Sequence, residues 1–124
     1  MKPLLLLPLL LALAGGATRA QAVESLGQRL AQSSCAQCHS FEKAAGHGVG
    51  PNLFGLIGRP AASSSGFSFS QPYIDAMKGK TWNAALLERW LADTQAVAPG
   101  SGMVYFQDDP KKREELIKYL QSLK

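Results

Sequence analysis

Between a first helical stretch ending at Ser34 and the tryptophan at position 82 lie 47 residues with little helical periodicity. Gly46, Gly48, Gly50, Gly55, Gly58 and Gly66 punctuate them, with Pro51, Pro60 and the run Ser63-Ser64-Ser65. Loops of that length are uncommon inside a compact domain, because they need something to wrap around. The 124 residues suffice for one domain, and 46% hydrophobic against 18% charged residues is too apolar for a disordered chain. Three short helices cannot bury a large core by themselves. A buried prosthetic group would complete it.

Those three segments carry a helical period, and none alternates as a strand. From Val23 to Ser34, Leu26 and Leu30 repeat beside Ala31, while Glu24, Gln28 and Gln32 face away. From Thr81 to Asp93, with Thr81 as the expected cap, Trp82, Leu86, Leu87, Trp90 and Leu91 fill one broad stripe. From Pro110 to Leu123, Asp109 is a natural N-cap, Pro110 fits the first helical position, and Leu116, Leu120 and Leu123 repeat. No internal repeat is present.

Residues 1–22 read as a secretory signal instead of as part of the fold. Lys2 gives the positive end, the 11 residues Leu4 to Ala14 form an apolar run broken only by Pro8, and small residues follow. That run is shorter than the roughly 18 to 20 residues that span a bilayer, so stable membrane insertion is not expected. Cleavage is expected before Val23, after Ala20-Gln21-Ala22, or alternatively after Ala20. The expected domain is residues 23–124, periplasmic in a bacterium. The formal charge of +4 also changes, because Lys2 and Arg19 leave. Lys and Arg fall from 13 by two, to 11, against 9 acids, so the mature chain is +2. Its densest basic run, Lys111 to Arg113, is bracketed by Asp108, Asp109, Glu114 and Glu115. A solvated helix end explains it, and nucleic acid drops out as a partner.

Cys35-Ala36-Gln37-Cys38-His39 begins where the first helix ends. Two thiols three positions apart can each add across a vinyl group of one haem, and the histidine after them presents its imidazole to the iron from the same side. A thioredoxin-like redox pair would follow a strand in a βαβ unit, whereas a helix precedes these cysteines. A zinc site needs four ligands, and Cys35, Cys38, His39 and His47 follow no finger spacing. Covalent haem c, one per chain, is the expected cofactor. Its sixth iron position decides between electron transfer and gas binding or catalysis. Met103 lies in Ala98-Pro99-Gly100-Ser101-Gly102-Met103, a rigid turn of small residues that lets backbone approach a flat ring. Met77, between Ala76 and Lys78 in a short helical stretch, reads as core.

Together these residues make the chain resemble the class I c-type cytochromes, the mitochondrial-type and related bacterial soluble electron carriers, across residues 24–124. The resemblance rests on Cys35 to His39, on Gly50 to Arg59, on Trp82, on Pro99 to Met103 and on Leu116 to Leu120. It implies an all-α cytochrome c fold, with crossing N- and C-terminal helices, a third helix and glycine-rich loops around one haem. It assigns His39 and Met103 as axial ligands and Cys35 and Cys38 as thioether anchors. The Pro51 carbonyl would orient His39, and Arg59, Trp82 and Ser101 would hold the propionates. Gly27 would let the terminal helices touch, opposite Leu116 and Tyr119, and His47 would make a structural hydrogen bond.

This chain also departs from the family pattern. Ala31 stands where an aromatic residue is usual on the first helix, and Trp90 where a tyrosine often touches the methionine sulfur. The propionate-side tyrosine falls on Tyr73 or is lost to Phe69. Ser34, Gly48, Gln95, Ala96 and Gly102 stand where mitochondrial members ring the haem edge with lysines. The expected function is a monomeric one-electron carrier between redox proteins, not an enzyme. The alternatives are a haem subunit serving one dehydrogenase, oxidase or peroxidase, or a gas-binding protein should Met103 not ligate.

Overall fold

A computed structural model describes residues 21–124, so residues 1–20 of the expected signal lie outside the described residues. Among the described residues five helices follow one another: α1 (Leu26–Ser34), α2 (Gln71–Met77), α3 (Ala84–Ala92), α4 (Thr94–Val97) and α5 (Pro110–Ser122). Among the described residues the only β pairing is two isolated bridges, Pro60 with Thr81 and Asp93 with Phe106. The all-α expectation holds.

The terminal helices α1 and α5 make the main helix contact. Ser25 caps α1 by accepting the Gln28 N–H at 3.0 Å. The helix then buries Gly27 and Ala31, while Leu26 stays 45% exposed. The buried face is thus centred on small residues and not on the Leu26 repeat, because α5 crosses too close for anything larger. A Cβ on Gly27 would lie 2.0 Å from the Glu115 carbonyl oxygen and 2.9 Å from the Tyr119 Cβ. Fully buried Ala31 fits the same tight crossing, and the nearby aromatic pair is Phe41 edge-to-face on Tyr119, with ring centroids 5.7 Å apart.

Asp109 caps α5 through the Lys111 N–H at 2.9 Å, with Pro110 in the first turn, as the sequence implies. Leu116, Ile117 and Leu120 face the core. Arg113 ties α5 to α3 through Glu88 at 2.6 Å. The α3 helix starts later than expected. Thr81 does not cap it, because the backbone of Trp82 is paired on both sides with Arg59 and Gly58, at 3.0 and 2.8 Å, and Thr81 bridges Pro60. The chain can turn only at Asn83, whose side chain takes the Leu86 N–H at 2.8 Å. Trp82, Leu86, Leu87, Trp90 and Leu91 are all buried, as is Met77, which is core as expected.

Candidate functional site

Cys35 is the C-cap of α1, so the motif starts as the helix ends. Cys38 and His39 both turn back onto the Cys35 carbonyl, at 3.0 and 2.9 Å. Cys35 is half-buried and Cys38 exposed, and no disulfide joins them. Burial, with Cys38 beside it, pushes the Cys35 thiol up to about 11. That is the reverse of an activated redox cysteine, whose thiolate is stabilised. Among the described residues no three His, Cys, Asp or Glu side chains gather as a site for a bare metal ion.

The His39 Nδ1–H donates to the Pro51 carbonyl at 2.7 Å, which leaves Nε2 as a free lone pair. Burial lowers the His39 pKa, and Pro51 opposes this in part, so the ring is neutral at neutral pH. The loop that brings Pro51 here has to pass against the ring itself. A Cβ on Gly50 would fall 2.3 Å from His39 Cε1, and one on Gly48 would fall 2.7 Å from the Cys38 carbonyl oxygen. Glycine is required at both positions.

Buried Asn52 locks the loop. Its Nδ2 donates to the Glu42 and Ala45 carbonyls at 2.8 and 2.7 Å, and its Oδ1 accepts from the Phe54 N–H at 2.8 Å. His47 has the structural role expected of it. Its Nδ1 accepts from the Asn52 N–H at 2.9 Å and its Nε2 donates to the Ser65 carbonyl at 2.8 Å. Asn52 was not singled out in the sequence, and the only local signal for it is its place after Gly50-Pro51.

Arg59 donates to the Asn52 carbonyl at 2.9 Å, to the Ser64 hydroxyl at 3.1 Å and to the Phe54 carbonyl. Burial lowers its pKa, and it takes part in none of the three ion pairs among the described residues. Tyr73 stands beside it. Burial raises the Tyr73 pKa, with Trp82, the Ala62 backbone and Arg59 easing the shift. Phe69 stacks on the Tyr73 ring, with centroids 5.2 Å apart, so Tyr73 and not Phe69 joins Arg59 and Trp82. Trp90 meets Tyr73 and Trp82 edge-to-face. Ser101 is buried but belongs to the Met103 loop, where its hydroxyl bonds Gln95 and the Met103 carbonyl.

Met103 is half-buried against the core. Its carbonyl accepts from Thr94 Oγ1 at 2.9 Å and Gln95 Nε2 at 2.8 Å. Two residues on, the Tyr105 hydroxyl is buried with no hydrogen bond of good geometry, and burial raises its pKa, with Gln107 and Ser34 easing the shift and Cys35 adding to it. The Met103 segment and the Cys35–His39 turn therefore meet. Two thiols, a histidine with one free nitrogen, an arginine without a carboxylate and a phenol left unsatisfied between two loops fit a haem.

Comparisons with known proteins agree. A family model described as cytochrome c matches residues 24–124. Cytochrome c2 iso-2 of Magnetospirillum molischianum is 44% identical over 91 residues, covering 73% of this chain and 91% of that protein. Cytochrome c of Chlamydomonas reinhardtii is 38% identical over 95 residues, covering 76% of this chain and 83% of that one. The solved structure of cytochrome cH from Methylobacterium extorquens superposes with a TM-score of 0.69 at 37% identity, over 78% of this chain and 95% of that one.

Proposed function

The chain belongs to the cytochrome c family, and from that membership we propose a one-electron carrier ligated by His39 and Met103 that works between redox proteins outside the cytoplasm. Haem c is held covalently through Cys35 and Cys38. When bound, it supplies an Fe(III)/Fe(II) couple. A thioether ligand in an apolar surround favours the reduced state relative to a pair of histidines. Pro51 keeps the His39 proton on Nδ1 and the ring aimed. Arg59, Trp82 and Tyr73, with Ser101 from the opposite loop, would receive the propionates, where a half-buried arginine would offset their charge.

The observation that supports the ligation is the His39 Nδ1 to Pro51 bond at 2.7 Å, which leaves Nε2 free for the iron beside the two cysteines. Visible spectra of the holoprotein, oxidised and reduced, with and without carbon monoxide, test it. Low-spin bands, a weak red sulfur-to-iron band and no carbon monoxide shift are expected. Ready binding of carbon monoxide by the reduced protein overturns the carrier.

Export is supported by residues 1–22, and among the described residues no helix is long and apolar enough to cross a membrane. Terminal sequencing of the exported protein should begin at Val23 or Gln21; a product beginning at Met1 overturns cleavage. Exposed Cys38 and Val104, the latter 81% exposed and next to half-buried Met103, mark the docking edge, where Ser34, Gly48, Gln95, Ala96 and Gly102 stand in place of lysines. Electron transfer with the physiological partner should depend weakly on ionic strength. A steep fall with added salt contradicts this docking.

A further inference from the structure

The Met103 loop has no regular structure of its own, and one side chain grips both its ends. Gln95 Nε2 donates to the Met103 carbonyl at 2.8 Å and to the Ser101 carbonyl and hydroxyl, each at 3.2 Å. At the other end its Oε1 accepts the Gly100 N–H at 2.9 Å. The amide can point only one way. A flip would set its NH₂ against the Gly100 N–H and its oxygen against the Met103 carbonyl, like against like at both ends.

Gln95 is itself fixed, because Asp93 Oδ1 takes its backbone N–H at 3.0 Å and so starts α4. Fully buried Thr94 holds the next stretch. Its hydroxyl donates to the Met103 carbonyl and accepts the Tyr105 N–H, both at 2.9 Å. The other side-chain tie from outside the loop and α4 is Ser70, whose Oγ accepts the Gly102 N–H at 3.0 Å. The short helix α4 is a handle that presents two polar side chains to one carbonyl.

We propose that Gln95 is a positioning residue that staples Gly100 to Met103 and so holds the thioether sulfur of Met103 at the iron. This rests on the reading of Met103 as sixth ligand. A loop held by a few hydrogen bonds opens locally far more often than the molecule unfolds. Each opening exposes the sixth position to an outside ligand, and the apparent affinity of that ligand follows the open fraction. Gln95 sets that fraction. It does so without touching the metal.

Ferric holoprotein titrated with imidazole reads the open fraction, and the red sulfur-to-iron band reads the sulfur directly. Gln95→Ala should keep the band without added ligand and bind imidazole at least about tenfold tighter. Gln95→Glu keeps the acceptor for Gly100 but turns a carboxylate on the Met103 and Ser101 carbonyls, and should bind imidazole tighter still. Ser25→Ala removes the distant α1 cap, lowers global stability and should leave imidazole affinity unchanged. Wild-type affinity in Gln95→Ala, or an equal rise in Ser25→Ala, overturns the staple. Met103→Ala should abolish the band; its retention there would instead overturn the ligation and with it the inference.

Discussion

His39 and Met103 are held by opposite means. On the His39 side the constraint is steric and continuous with the motif: backbone passes where only the hydrogens of Gly50 fit, and the Pro51 carbonyl fixes the ring. Asn52 has every polar site engaged within its own loop. On the Met103 side the constraint is polar and remote. Thr94 and Gln95 reach across from α4, and a left-handed Gly100, φ +80°, makes the turn. A contact that cannot be relieved without moving backbone resists local opening, whereas a few hydrogen bonds break together at modest cost. The two sides should therefore open independently, with Met103 first.

The sharpest way to break this contrast is Gly50→Ala, whose Cβ would drive into His39. It should lower unfolding free energy by about 3 kcal/mol in chemical denaturation. A loss below about 1 kcal/mol would mean that the His39 side yields as easily as its counterpart. Next comes Asn52→Ala, which leaves the Ala45 carbonyl and the Phe54 N–H unpaired. It should cost about 2 kcal/mol globally and protect the Met103 loop from exchange as well as wild type does. Thr94→Val keeps the shape and deletes the hydroxyl. It should cost about 1 kcal/mol, with faster hydrogen exchange at Gly100 and Tyr105 and little change around Asn52. Equal acceleration on both sides would merge the two regions into one cooperative unit. Lys118→Ala removes the exposed pairs with Glu114 and Glu115 and should move neither side.

The two sides also differ in how far sequence reveals them. Cys35, Cys38 and His39 are legible because the macrocycle sets their spacing, and Gly50-Pro51 because a ring must pass close to backbone. The turn before Met103 is legible from its small residues. Its grip is not: α4 has four residues, too few for periodicity, and Gln95 shows in the sequence only as a missing lysine. Asn83 displaces Thr81 as cap because Trp82 pairs with a segment more than 20 residues earlier, a tertiary fact that overrides local propensity. Leu26 and Leu30 mark a helix correctly, yet the buried face turns to Gly27 and Ala31 because α5 crosses there. Tyr73 and Phe69 are equal candidates in a segment of ambiguous length. Only packing separates them, with Phe69 stacked outside Tyr73.

In polymer terms, the contact of Gly27 with Tyr119 closes a ring of 92 residues, 119 less 27. The entropy of closing such a ring grows only as the logarithm of its length, roughly 4 kcal/mol here, and ten further residues would add only about 0.1 kcal/mol. The ring is therefore almost indifferent to its own circumference. Insertions at the exposed Ser63 or Ser65 should be absorbed at little expense, while one residue between Gly48 and Pro51 or between Gly100 and Met103 should not. Closure tolerates length, and the two short loops against His39 and Met103 do not.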